Sequence, residues 1–154
     1  MDVRSPTVFT GYYGLPERTA EALRDGWLLV GDMDRFLPSG ELVIMGREAV
    51  VVKKKDGRTV YPREVEEVAH RHPQVKEAAF VQVRDRTVLA LSRRRLFADR
   101  DPEEFVYDLS TFSRRNLPPD IFPDEIRWFA ELPRSPLAKV LRREVRARLE
   151  QEAE

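Results

Sequence analysis

Beyond a glycine-rich N-terminal stretch, apolar and polar positions alternate in short runs that predict strands. An apolar run over 42–45 predicts one strand, and the run over 49–52 predicts a second. The second run leads toward the pair Asp56-Gly57, a strong hairpin-turn signal. Residues 59–61 would then form the returning strand of that hairpin.

Prolines and capping residues mark the starts of the predicted helices. Helices are predicted over 16–23, from Pro62 up to Pro73, from Pro102 behind the cap Asp101, and over about 140–150. Proline suits the first turn because its φ is already near the helical value and its missing N–H would have no intrahelical partner there.

Two further strands, over 78–83 and 87–92, predict a second hairpin, and a last strand is predicted over 126–130. This order of elements is typical of an α+β domain in which helices pack on a small sheet. Before it, residues 1–40 hold five of the seven glycines and predict a short β-rich segment that buries little core.

Composition excludes several kinds of site and partner. The 154-residue chain has 27 basic and 27 acidic residues, so it lacks the basic excess of a dedicated nucleic-acid binder. It has no cysteine, which excludes disulfides, thiol catalysis and zinc–cysteine sites. No apolar run could span a membrane and residues 1–6 do not resemble a signal peptide, so a soluble cytoplasmic protein is predicted.

Two kinds of residue cluster have ordinary explanations. His70 and His72 are two positions apart near a helix end, so they point to different faces and predict no metal site. The basic runs 53–55 and 93–95 are more typical of solvated turns, balanced by acids elsewhere, than of a nucleic-acid surface.

Lys139 is the strongest candidate for chemistry. It lies on a proline-bounded loop, and the helix behind it already carries four arginines, so solubility does not require another cation. A cation at a loop tip can be delivered to an anion on another surface. Residues 133–139 resemble the Pro-x-x-x-x-Gly-Lys motif of the adenylate-forming enzymes, which include acyl-CoA synthetases, peptide-synthetase adenylation domains and luciferase. Ala138 replaces the glycine of that motif.

Other segments resemble the same family in the correct order. They are 10–19 (Gly-Tyr-x-x-x-Pro-Glu-x-Thr), 25–32 (Asp-Gly-Trp-x-x-Thr-Gly-Asp), 40–47 (a strand ending in Gly-Arg), 61–66 (Tyr-Pro-x-Glu-Val-Glu) and 72–79 (His-Pro-x-Val-x-Glu-Ala-Ala). The set covers nearly the whole chain, and it is far more specific than any one segment.

The resemblance implies a role for each matching residue. Lys139 would bridge the acyl carboxylate and the ATP α-phosphate, Asp32 would accept hydrogen bonds from the ribose hydroxyls, and Arg47 would lie near the ribose and phosphates. Ala49 occupies the hinge position. The loop over 53–59, with Lys53 and Gly57, would face the thiol acceptor and is one residue longer than the family pattern.

The family's phosphate loop, acyl pocket and magnesium-binding glutamate are absent from this sequence. The resemblance therefore implies that residues 1–46 are an edge of the N-terminal adenylation domain and that 47–154 are the C-terminal lid domain. A partner adenylation core would bind most of the ATP and Mg²⁺, and the acceptor would be CoA or the phosphopantetheine of an acyl carrier protein.

These expectations describe the lid portion of an acyl-adenylating, ATP-dependent acid–thiol ligase that works with a separate core. The alternative is a non-catalytic binding or regulatory module, or an inactive fragment, that retains the lid fold. Val30, Ala49 and Ala138, where the chain departs from the family pattern, favour that alternative.

Overall fold

The chain divides into two units, Met1–Val50 and Val51–Glu154. The computed structural model describes residues 1–47, 50–99 and 101–152.

The first unit is built from short strands and one short helix. In chain order these are β1 (Asp2–Val3), α1 (Pro16–Ala22), β2 (Leu23–Arg24), β3 (Trp27–Leu29), β4 (Asp32–Phe36) and β5 (Leu42–Arg47). Strands pair in the order β1-β3-β2, and β4 pairs with β5 as an antiparallel hairpin. None of the described residues of this unit is buried, which agrees with the small core predicted from its glycine-rich sequence.

The turn between β2 and β3 shows why the local sequence folds this way. Asp25 and Gly26 both have positive φ, at 51° and 77°, and they join the paired residues Arg24 and Trp27. A two-residue turn with positive φ at both positions matches the twist of the strands, and Asp-Gly is one of the pairs that adopt it most readily.

The second unit contains the longer elements. In chain order these are β6 (Val52–Lys53), β7 (Thr59–Val60), α2 (Pro62–His70), β8 (Val75–Val83), β9 (Arg86–Arg93), α3 (Pro102–Asn116), β10 (Glu125–Phe129) and α4 (Arg142–Gln151). Strands β6 and β7 form a hairpin. In the main sheet, β9 lies in the centre, antiparallel to β8 and parallel to β10.

Helices cover both faces of the main sheet. On one face, Phe80 and Leu89 share a core cluster with Val65 of α2 and Phe105 of α3. Successive residues of a strand point to opposite faces of the sheet. The residues directly before and after Phe80 and Leu89 in the sequence therefore belong to a second cluster, beneath α4. This arrangement explains why β8 and β9 are nearly continuous apolar runs.

The second cluster fixes α4 on the sheet. Val81 and Val88 pack with Val145 and Leu149 of α4, and all four side chains are at most 5% exposed. Leu132, in the segment between β10 and α4, belongs to the same cluster and anchors the start of the loop that carries Lys139.

The prediction of an α+β fold with helices packed on a small sheet is confirmed. Asp101 caps α3 as predicted, since its carboxylate accepts a hydrogen bond from the Glu103 N–H at 2.9 Å. Several bounds differ from the predictions. The strand predicted over 49–52 is observed as β6, Val52–Lys53, and most other bounds lie within one residue of the predicted ones. Strand β8 begins at Val75, and α4 begins only at Arg142, because Val140 instead forms a β-bridge with Arg134.

The basic run at 93–95 differs from the predicted solvated turn at its first residue. Arg93 ends β9 and is only 8% exposed. Its guanidinium lies 5.4 Å from the ring centre of Phe105 and 5.7 Å from that of Trp128, and it donates to the Ala98 carbonyl at 3.1 Å. Stacking on aromatic rings and bonding to carbonyls compensate the burial of this charge, so Arg93 is a structural residue.

Candidate functional site

A tight turn presents Lys139. The antiparallel bridge between Arg134 and Val140 closes the turn. Ser135 organises it: its N–H donates to the Lys139 carbonyl at 2.8 Å, its carbonyl accepts from the Ala138 N–H at 2.8 Å, and its Oγ accepts from the Lys139 N–H at 3.2 Å. The backbone of Lys139 is therefore held on both sides while its side chain is exposed.

Ala138 has a φ of +60°, in the left-handed region. This conformation costs an L-residue roughly 1–2 kcal/mol, whereas glycine adopts it freely. The resembled motif has a glycine at this position, and a glycine would adopt this conformation without strain.

The segment leading into the turn is tied to β8. Arg134 Nη2 lies 2.6 Å from Glu77 Oε1, and the side chain of Glu77 is only 10% exposed. Ser92 on β9 donates to the other carboxylate oxygen of Glu77 at 3.1 Å. The hydrogen bond to Glu77 raises the pKa of the Arg134 guanidinium, so this residue stays charged.

The segment leaving the turn is tied to α2. Arg142 Nη2 contacts both carboxylate oxygens of Glu66, at 2.8 and 2.6 Å, and its Nε donates to Oε1 at 3.2 Å. The same Oε1 accepts the Phe80 N–H at 2.8 Å. Glu66 thus joins α2, β8 and α4 through one buried carboxylate.

The sequence alone did not identify the four residues of these two ion pairs, which are Glu66, Glu77, Arg134 and Arg142. One signal was present for Glu66, which lies on the same helical face as Pro62, Val65 and Ala69, all of them buried. A carboxylate on a buried face requires a cationic partner. The partners themselves, Arg134 and Arg142, look like ordinary surface cations in the sequence.

In the first unit the structure brings Asp32 and Arg47 together. They are register partners on β4 and β5, and Arg47 Nε lies 2.8 Å from Asp32 Oδ1. Arg47 Nη1 also donates to the Val30 carbonyl at 3.1 Å. This hydrogen bond is to the backbone, so it does not depend on which side chain residue 30 carries. A carboxylate has about four acceptor positions, so Asp32 keeps capacity for a vicinal diol beside this arginine.

The hairpin of β6 and β7 carries the predicted thiol-facing residues. Its turn is closed by the Gly57 N–H, which donates to the Lys54 carbonyl at 3.0 Å, and Gly57 has a φ of 82°. Lys53 is exposed on β6. Ala49, the predicted hinge, lies outside the described residues.

Cationic side chains hold this hairpin against the rest of its unit. Lys54 Nζ donates to the carbonyls of Asp120 and Phe122, at 3.0 and 2.8 Å. Arg58 pairs with the Asp120 carboxylate at 2.9 Å, and Lys55 pairs with Asp85 at 2.7 Å. The hairpin is thus anchored by its side chains as well as by its two short strands.

The two histidines lie in different surroundings. His72 is buried beside the rings of Phe105 and Phe112, and burial lowers its pKa. His70 Nδ1 instead lies 2.7 Å from the backbone carbonyl of Glu66. Among the described residues there is no group of three or more acids and histidines that could hold a metal ion. The helices of the described residues are too short or too polar to span a membrane.

Comparison with known proteins identifies relatives along nearly the whole chain. No protein-family model matches it. A long-chain-fatty-acid–CoA ligase of Bacillus subtilis is 36% identical over an alignment of 156 positions, which covers 99% of this chain and 26% of that enzyme. The chain thus spans about a quarter of the length of this curated relative.

Solved structures give the same result. The amide bond synthetase McbA of Marinactinospora thermotolerans superposes with a TM-score of 0.78 at 33% identity, over 96% of this chain and 30% of that one. An ATP-bound chimera, RpMatB-BxBclM B1, superposes with a TM-score of 0.80 at 26% identity, over 99% of this chain and 31% of that one.

The extent of these matches is consistent with a C-terminal portion of an acyl-adenylating ligase, and the alternative of a non-catalytic module is not favoured. The predicted resemblance is confirmed, and the chain belongs to the adenylate-forming superfamily of acyl-CoA ligases and related enzymes.

Proposed function

We propose that this chain is the mobile lid of an acyl-adenylating ligase together with an edge of its adenylation domain, and that Lys139 acts in adenylate formation. The observation that carries the proposal is the turn itself. Its backbone conformation at Ala138, φ +60°, suits the glycine of the family motif, and it presents an exposed lysine at the next position.

In this proposal residues 1–46 belong to the adenylation domain and residues 47–154 form the lid. The division of the chain into units that meet at Val50 supports a boundary in this region. Ala49 would serve as the hinge between the two domains.

The first reaction joins a carboxylate to ATP. A carboxylate oxygen attacks the α-phosphate, the bond to the β-phosphate bridging oxygen breaks, and pyrophosphate leaves. Lys139 would place its ammonium between the carboxylate and the α-phosphate, where charge concentrates, and a preorganised donor of this kind is worth about 3–4 kcal/mol. Asp32 would accept hydrogen bonds from the ribose hydroxyls, and Arg47 would lie close to the ribose and phosphates.

The second reaction transfers the acyl group to a thiol and releases AMP. Rotation of the lid would carry Lys139 away and bring the β6–β7 hairpin, with Lys53 and Gly57, toward the acceptor. The thiol would be that of CoA or of a carrier protein's phosphopantetheine. The name of the Bacillus subtilis relative supports a CoA acceptor.

A partner core would complete the active site. It would supply the phosphate loop, the acyl pocket and the Mg²⁺ ligands, and the reaction would take place in the cytoplasm, where ATP and CoA are available. Exposed apolar side chains on the first unit support a surface that the partner core would cover. Phe36 is 73% exposed, and its register partner Leu42 is 43% exposed. Neighbouring apolar residues of this kind mark binding surfaces.

The test is carboxylate-dependent ATP–pyrophosphate exchange. The chain is mixed with the core of the Bacillus subtilis relative from which the matching segment has been removed. We expect no exchange from the chain alone, exchange from the mixture, and a loss of about 10²–10³-fold with Lys139→Ala. Arg143→Ala, which removes another exposed cation beside the turn, is the matched control and should retain the rate. Exchange by the chain alone, or an unchanged rate with Lys139→Ala, would overturn the proposal.

A further inference from the structure

We propose that Arg134 and Arg142 are positioning residues that fix the turn carrying Lys139. The inference rests on the proposed function, because it assigns these arginines to the step in which Lys139 acts. Neither arginine needs to touch substrate; each acts by restraining one end of the Lys139 turn.

The two ion pairs lie on either side of the turn. Arg134 forms the closing bridge with Val140, and Arg142 begins α4 three positions after Lys139. Between them, the Leu141 N–H donates to the Pro133 carbonyl at 2.8 Å, which continues the pairing of the two segments. Both segments that flank Lys139 are therefore tied to the rest of the unit.

The carboxylates that hold the arginines lie on different elements of the domain core. Glu77 is on β8 and Glu66 is on α2, and their side chains are only 10% and 11% exposed. Each carboxylate is also fixed from a second direction, Glu77 by the Ser92 hydroxyl and Glu66 by the Phe80 N–H. A carboxylate held by a second donor gives an arginine a defined position as well as a favourable charge.

The turn has few other restraints at its tip. Leu137 is 81% exposed and Lys139 is exposed, so packing does not determine where the ammonium lies. The hydrogen bonds of Ser135 fix the shape of the turn, but they do not fix its orientation on the domain. Leu132 and Val140 pack in the second cluster and hold the base of the turn. The two arginine–glutamate pairs add restraints at its two ends, and a misplacement of about 1 Å can reduce a rate about 100-fold.

The two pairs differ in geometry, which gives a sharp test. Arg134 reaches Glu77 through one close contact, of 2.6 Å, whereas Arg142 contacts both oxygens of Glu66. A lysine can reproduce a single contact but not a bidentate one. Arg134→Lys should therefore restore function lost in Arg134→Met, and Arg142→Lys should restore little of what is lost in Arg142→Met.

The first measurement uses the chain alone. ¹⁵N relaxation should show that Arg134→Met and Arg142→Met increase the mobility of residues 135–139 on the nanosecond scale, while strands β8 and β9 remain as rigid as in the wild type. Arg143→Met is the control and should leave the turn unchanged. If Arg134→Met fails to fold, Glu77→Gln, which keeps the shape of the side chain, replaces it; if Arg142→Met fails to fold, Glu66→Gln replaces it. Unchanged relaxation in both methionine variants would overturn the inference.

The second measurement is pyrophosphate exchange with the added core. We expect both methionine variants to reduce kcat about tenfold with KM for ATP unchanged, and Arg134→Lys to restore kcat. Lys139→Ala is run in parallel. If Lys139→Ala abolishes exchange while both methionine variants keep the wild-type kcat, the positioning inference is wrong and the proposed function stands. If Lys139→Ala itself exchanges normally, the proposed function fails, and the catalytic meaning of the arginines fails with it.

Discussion

Ala138→Gly should stabilise the second unit, although most substitutions destabilise a protein. Ala138 has a φ of +60°, which costs an L-residue roughly 1–2 kcal/mol relative to glycine. Glycine also makes the unfolded chain more flexible, which returns about 0.4–1 kcal/mol of that gain. The difference of the two ranges is about 0–1.6 kcal/mol, so the expected net effect is a stabilisation centred on about 0.8 kcal/mol.

The assay is urea unfolding, followed by a probe of the second unit such as Trp128 fluorescence. With a slope of about 1–3 kcal/mol per molar urea, the midpoint should rise by a few tenths of a molar. Ala147→Gly is the matched control, because the chemical change is the same but Ala147 is exposed in the interior of α4. There glycine should cost about 1 kcal/mol and lower the midpoint.

The opposite signs of the two alanine-to-glycine changes are the discriminating result. If Ala138→Gly lowers the midpoint as much as Ala147→Gly does, the left-handed conformation of the turn is wrong. The turn would then no longer support a match to the glycine of the family motif.

Two further predictions concern pH and local stability. Burial lowers the pKa of His72 in the folded chain below its ordinary value of 6.5. As the pH falls, His72 is therefore protonated in the unfolded chain before it is protonated in the folded chain. The contribution of neutral His72 to the free energy of unfolding should be fully present above pH 6.5 and decline as the pH falls below it. His72→Phe keeps an aromatic ring beside Phe105 and Phe112, and in this variant the urea midpoint should no longer fall with pH below 6.5. The same dependence of the midpoint on pH as in the wild type would contradict the assignment to His72. In hydrogen exchange of the chain alone, amides of the unit Met1–Val50 should exchange fast and those of β8 and β9 slowly, because none of the described residues of that unit is buried. Equal protection in both units would mean that the first unit is covered, for example by a second copy of the chain.

Local signals in the sequence predict most of the elements. Proline at a first helical position and the capping carboxylate of Asp101 act within one turn of chain, so α1, α2 and α3 begin where the sequence indicates. The same holds for the hairpin turn at Gly57. The β-bridge that delays α4 to Arg142 joins two segments of an irregular loop, and no local pattern indicates it.

The supports of the candidate site could not be predicted in this way. Glu66 and Arg142 are 76 positions apart, and their pairing depends on how α2 and α4 meet β8. Charged residues are usually exposed, so Arg93 and Glu77 look like surface residues until the fold places them. The position of Lys139 at a loop tip makes it a candidate, but its role and those of Asp32 and the other candidate positions come from the family resemblance, since most surface lysines are also exposed.

The anchoring of the β6–β7 hairpin has a consequence for how this loop can vary among relatives. Its strands are two residues long, and the cations at 54, 55 and 58 secure it to neighbouring segments. Extra length can therefore be accommodated at the tip, around Gly57, without shifting the strands. An additional residue at the tip can change the surface of the hairpin while the domain beneath stays the same. Loops of other lengths could therefore be grafted at the tip between Lys55 and Arg58, where all three anchoring cations are kept and the fold beneath is unchanged.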